Sequence, residues 1–380
     1  MHITDVTVHA LSLPETRAIA DGTQDATVVE IETSDGITGI GEAADSPPSV
    51  VRSVFDAPVS HRTAMGLKHV LTGRDPLAVE SLWTEMFERI GLTEGRSGTA
   101  LSAISAADIA LWDIRGKAFG EPIYRLLGGG DPDPVDVYAS TLFPEDATDV
   151  AAVRTESERL LEAGFSGVKF GWGGFGDGRE TDRALVEAAR DALGRDVDLM
   201  VDAGLCWRSD VKRARREINE LDAEFDLYFV EEPLYPDNYD GYAELSRACE
   251  TRIVAGEREA THYGFAELVS KGGLDAVQPD VARAGGITQL CKIQTLADVA
   301  GVPLIPHGYS TDVLVAASLH VLAARVSDPL LEYVVEESPI REGVTEETVE
   351  VTDGRVAVPE APGLGVTLNR DVVEEYRTDP

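Results

Sequence analysis

The sequence predicts an α/β fold, a (β/α)-barrel of the TIM type preceded by an α+β N-terminal domain. Short apolar runs recur beyond residue 134, helical stretches separate them, and nearly every run ends in a polar residue. In a barrel, the C-terminal ends of all strands converge on one mouth. A doubly wound sheet would bring only some of them to one crevice, so it accounts for the pattern less well.

The elements follow in order. Residues 1 to about 50 read as antiparallel strands: HITDVTVHALSL and ATVVEIETSDGITGIGEA alternate apolar and polar residues around the turn pair Asp35-Gly36. From about 52 to 127 the spacing is helical, as in LAVESLWTEMFERI, and SAISAADIALWDIRGKAFG closes on a glycine. Gly128-Gly129-Gly130, followed by Asp-Pro-Asp-Pro, reads as a linker. The barrel strands are VDVYAS, GVKF, DVDLMVD, FDLYFVEEP, TRIVAGE, LDAVQPD, VPLIPH and LLEYVV, with seven helical or crossover segments between them.

Composition restricts the partners. There are 68 acidic residues against 33 basic ones, a formal net charge of -35, and only six of the basic residues are lysines. The acids are scattered, so the whole surface is acidic. Such a field repels nucleic acid and anionic membranes and is tolerable where salt screens it. The expectation is a protein of a salty cytoplasm that binds neither. No window resembles a membrane span, and MHITDVTVHALSLP lacks the features of a signal peptide. Cys206, Cys249 and Cys291 show neither a disulfide framework nor a zinc spacing, and read as ordinary thiols.

The polar strand ends are Lys169, Asp202, Glu231, Glu257, Asp280, His307 and Glu332. From Asp202 onward the gaps are 29, 26, 23, 27 and 25 residues, each about one βα unit. Asp202, Glu231 and Glu257 come from consecutive strands. Three carboxylates in one cavity raise one another's pKa unless a cation joins them. Oxygen-only ligation suits Mg²⁺; zinc fits less well, because no histidine or cysteine belongs to the trio. Glu232 is expected on the opposite side of its strand. Asp280 and His307 sit on neighbouring strands, where a carboxylate would fix the imidazole tautomer and raise its basicity. His262 and His320, in helical context, read as structural, and the N-terminal histidines are not expected to take part in chemistry.

The stretches LMVDAGLCW, YFVEEPLYPDN, IVAGERE, VQPDVARAGGI, IPHGYST and LLEY, in this order and spacing, resemble the enolase superfamily, and within it the mandelate racemase-like enzymes. ISAADIALWDIRGKAFGEPIYRLLGG and PGLGVTLNRDVVEEY are similar to the end of that family's cap domain and to its C-terminal return. The resemblance implies a modified TIM barrel at 128–350, an α+β cap at 1–127 and a segment at 351–380 that returns to the cap. It implies Mg²⁺ held by Asp202, Glu231 and Glu257, and an acid–base dyad of His307 and Asp280. Glu332 would hydrogen-bond a substrate carboxylate oxygen or stabilise developing charge, in protonated form. Cap loops near 14–26 and 44–50 would close over a small carboxylate substrate, with Arg17 a candidate contact. A homo-oligomer is the expected assembly.

Two departures from the family pattern bear on specificity and on the expected reaction. The usual Asp-x-Asn is Asp202-Ala-Gly204 here, which removes an amide that faces the substrate or supports the site from behind, and loosens the transfer of substrate specificity. The usual Lys-x-Lys is Lys169-x-Gly171, which removes the base opposite His307. Racemisation needs both bases, so dehydration of an aldonate or aldarate to a 2-keto-3-deoxy acid is the expected reaction, with an epimerase or cycloisomerase as the alternative. Lys169 would then act as a cation near the carboxylate, and Trp172 is a candidate cavity residue. VKFGWGGFG also contains a G-x-G-x-x-G, but on the second barrel strand, which argues against a dinucleotide cradle.

Overall fold

The computed structural model describes residues 1–62 and 64–378. Three antiparallel strands, β1 (Ile3–Ser12), β2 (Asp25–Thr33) and β3 (Thr38–Ala43), form the cap sheet in the order β1-β2-β3. Buried Val29 and Ile31 of β2 pair with Gly41 and Gly39 of β3, and these two glycines lie against the helix Thr99–Phe119, where a Cβ would meet the Ala106 and Ala110 carbonyls. That helix is alanine-rich and buried on most sides, which suits an element packed between the cap sheet and the barrel.

The barrel contains β4 (Val135–Leu142), β5 (Gly167–Gly171), β6 (Asp198–Asp202), β7 (Leu227–Glu231), β8 (Arg252–Ala255), β9 (Ala276–Val277) and β10 (Leu330–Val334). Neighbours from β4 to β9 pair in parallel in chain order, and β10 pairs with β4. The gap between β9 and β10 is bridged by VPLIPH, which makes only the isolated parallel bridges Val277–Leu304 and Asp280–His307. Pro303 and Pro306 are the cause: without an N–H they cannot donate to a ladder, and each contributes only its carbonyl, to Val277 and Glu332. The fold is thus a modified TIM barrel with an α+β cap. Inside it, Tyr138, Met200, Phe229, Val254, Ala276 and Ile305 form a closed apolar layer beneath the mouth.

Buried polar contacts seat the cap over that mouth. Glu42, on β3, accepts the hydroxyls of Ser310 (2.6 Å) and Thr311 (2.7 Å) and the N–H of Leu314 (3.0 Å), at the start of the barrel helix Asp312–Arg325. Asp108 accepts the hydroxyl and N–H of Thr288. The tail first forms a hairpin, Val351–Thr352 with Arg355–Val356, on β4. It then reaches the cap, where Arg377 bridges Leu11 and Arg370 meets Glu30 at 2.7 Å. No helix among the described residues is long and apolar enough to cross a membrane, and Cys206, Cys249 and Cys291 are unpaired.

Candidate active site

All seven strand-end residues of the barrel are buried at its mouth, under a cavity of about 620 Å³ roofed by cap residues 12–26 and 43–47. Asp202 and Glu231 end their strands and Lys169 and Glu332 lie at the middle of theirs, whereas Glu257, Asp280 and His307 lie just past theirs or in the bridged segment. Arg17 and Trp172 line the same cavity, Arg17 exposed in the roof and Trp172 in the wall.

The dyad is formed. His307 Nδ1 lies 2.7 Å from Asp280 Oδ2, and His307 Nε2 faces Glu257 Oε2 at 2.9 Å and Glu332 at 3.9 Å. Burial alone would lower the imidazole pKa, but Glu332, Glu257 and the Asp280 hydrogen bond push it well above its ordinary value. The same pairing overcomes burial at Glu257, which is held well below the carboxylate range by His307 and Arg283.

Lys169 Nζ is held between Glu231 Oε2 (2.7 Å) and Glu332 Oε1 (2.6 Å). Burial would lower its pKa, yet Glu231 and Glu332 keep it a firm ammonium. Glu332 feels the reverse: against burial, Lys169 and His307 bring it down to about 2. Glu332 is therefore an ionised carboxylate, not the protonated acid expected from sequence, because Lys169 reaches it directly.

Asp202 is pushed up to about 6 by burial and Glu257, with Lys169 opposing. Burial pushes Glu231 up to about 8, again against Lys169 and with help from the other carboxylates. No group of three or more His, Cys, Asp or Glu side chains among the described residues is gathered closely enough to hold a metal ion as it stands. Each expected ligand has another partner instead. Glu231 is drawn to Lys169 and to the Gln278 amide at 2.8 Å, Glu257 to His307 and Arg258, and Asp202 to the Trp172 indole and the Gly204 N–H, both at 2.8 Å. The donor set still fits a hard cation. All three side chains offer carboxylate oxygens, Glu257 raises the pKa of Asp202 and both raise that of Glu231, and Glu231 Oε1 is buried with no hydrogen-bond partner.

The sequence did not single out several site residues. Glu232, expected to point away from the ligands, sits at φ +41° rather than in extended backbone, is buried, pairs with Arg258 at 2.8 Å and does not line the cavity. Arg258 also meets Glu257 and lies over the Trp172 ring. Arg283 stands between Asp280 (3.3 Å), Glu257 (3.6 Å) and Asp45 of the cap (3.4 Å). Arg258 and Arg283 each adjoin or closely follow an expected site residue, which was the available signal. At Gly171 there is no room for a second lysine in this backbone: a Cβ would lie 2.6 Å from Asp202 Cβ.

Comparison with known proteins agrees with this architecture. Residues 4–128 match the mandelate racemase/muconate lactonizing enzyme N-terminal domain, and residues 152–372 match the enolase C-terminal domain-like family. The chain is 37% identical over 359 residues to an L-rhamnonate dehydratase of Saccharopolyspora erythraea, covering 91% of this chain and 83% of that protein. It is 33% identical over 361 residues to a D-galactarolactone cycloisomerase of Agrobacterium fabrum, covering 92% and 90%. A crystal structure of a racemase from Streptomyces coelicolor A3(2) with bound magnesium superposes with a TM-score of 0.85 at 32% identity, covering 99% of this chain and 100% of that one. The chain belongs to the mandelate racemase/muconate lactonizing enzyme family, with an enolase-like barrel.

Proposed function

We propose that the protein is a Mg²⁺-dependent sugar-acid dehydratase. The observation that carries this reading is the one-sided acid–base equipment of the barrel mouth. His307 with Asp280 stands on one side. On the other, Lys169 is locked as an ammonium between two carboxylates, and position 171 has no side chain. A single base suits an elimination and does not suit a two-base epimerisation.

Asp202, Glu231 and Glu257 would hold Mg²⁺, which when bound supplies Lewis-acid stabilisation of negative charge on the substrate carboxylate. Lys169 adds a fixed positive charge to that end of the substrate. Asp280 accepts the hydrogen bond of His307 Nδ1–H; with the charge of Glu257 taken up by the cation, Nε2 would release the proton that Glu257 now favours and would be free to take the α-proton. The C–H electron pair moves toward the carboxylate and returns to form Cα=Cβ as the Cβ–O bond breaks. The hydroxide departs as water with the proton His307 had taken, and the enol ketonises to a 2-keto-3-deoxy acid. One water is lost overall. Cavity residues from the cap, Arg17 and Asp25 among them, would read the distal hydroxyls.

A second reading, cycloisomerisation, has support in the comparable likeness to the cycloisomerase and the dehydratase. Opening a lactone or anhydro ring by loss of its β-oxygen is the same elimination with the leaving oxygen tethered. A screen of aldonates and aldarates beside lactones and anhydro acids, with Mg²⁺ and high salt, separates the two. Stoichiometric 2-keto acid from an open-chain acid supports dehydration. Turnover of cyclic substrates alone would replace it.

A further inference from the structure

Both oxygens of Asp202 accept a hydrogen bond. Oδ1 takes the Gly204 N–H and Oδ2 takes the Trp172 indole N–H, each at 2.8 Å. The indole comes from the loop after β5, where Trp172 adopts φ +53°, a conformation uncommon for a bulky residue. Its ring lies against Gly204, itself at φ +53°; a Cβ there would stand 3.0–3.4 Å from three of the ring atoms. Arg258 covers the indole, with its guanidinium carbon 5.4 Å from the ring centroid. The ring is therefore packed between a residue that has no side chain and a cation that pairs with Glu257.

We propose that Trp172 is a positioning residue for Asp202, and that glycine at 204 is what admits it. The indole N–H fixes the rotation of the Asp202 carboxylate and leaves a lone pair on each oxygen for a cation. The departure from Asp-x-Asn then has a structural counterpart: the amide at 204 is lost, and an indole from the neighbouring strand end occupies the space. Partners of this kind, hydrogen-bonded to a ligating group, commonly change metal affinity 10–100-fold when removed. The proposal rests on the reading of Asp202, Glu231 and Glu257 as the Mg²⁺ ligands.

The test is calorimetric titration of Mg²⁺ into the full-length protein and its W172F and G204A variants, with metal-free melting temperatures measured alongside. W172F keeps an aromatic ring and loses the N–H; G204A keeps the indole and displaces it. Each is expected to weaken Mg²⁺ binding by about tenfold or more, with the double variant no weaker than either single one. Folding of W172F is not essential, since G204A carries the same expectation. Unchanged affinity in a folded variant, beside a wild type that binds, overturns the role of Trp172. A wild type that binds no Mg²⁺ at millimolar concentration overturns the metal-site reading instead. Indole emission gives an independent readout: a Mg²⁺-dependent change in the wild type should vanish in W172F, which retains Trp83, Trp112 and Trp207.

Discussion

His307 Nδ1 lies 2.7 Å from Asp280 Oδ2, on two segments joined by a parallel bridge at those two residues. The backbone bridge sets the spacing of the two residues and the side-chain hydrogen bond sets the ring, so rotating the imidazole costs its contact with Asp280. His307→Asn removes the base and leaves the carboxylates in place. Steady-state kinetics should show kcat reduced by roughly 10³-fold or more, while calorimetry finds Mg²⁺ binding largely retained. Near-normal kcat would remove His307 from the chemistry.

Metal binding should depend on pH with a definite sign. Asp202 and Glu231 are pushed up to about 6 and about 8, and His307 holds a proton facing Glu257. Ligands must shed protons before they bind a cation, so Mg²⁺ affinity rises between pH 6 and 8.5 with proton release. By the same linkage, raised carboxylate pKa values stabilise the metal-free fold at low pH. That contribution is lost as pH rises through about 6 and about 8. Calorimetry in buffers of different ionisation enthalpy measures the released protons; affinity and heat independent of pH and buffer would contradict the site's electrostatics.

The formal charge of -35 makes the surface self-repulsive at low ionic strength. At 0.1 M salt the Debye length is about 10 Å, and at 1 M it is about 3 Å. The melting temperature is expected to rise steadily with KCl from 0.1 to 2 M. A flat profile would show that the acidic surface does not limit stability.

Most of the mouth was legible because chemistry and topology coincide there. An apolar run that stops on a charged residue, repeated at the length of a βα unit, needs no further information to be placed at one end of a barrel. The pairing of Glu232 with Arg258 was not legible, because alternation assumes extended backbone and the chain turns to φ +41° at that residue. Gln278 was invisible because one amide in an apolar run has no distinguishing type, although it meets Glu231 at 2.8 Å. Arg258 is next to Glu257 in the chain, but an arginine beside a site acid is no sign of a contact, and Arg283 reaches Glu257 only through the fold. The ionised state of Glu332 follows from a 2.6 Å contact with Lys169, a distance no spacing in the sequence encodes.

Elimination by a single base is read out by proton NMR of a sugar acid turned over in D₂O. With Mg²⁺ present, the acid should lose its α-proton signal only as a 2-keto-3-deoxy acid appears, with no C2 epimer at any time. Accumulation of the C2 epimer, with little or no 2-keto acid, would require a second base across from His307 and would contradict the account.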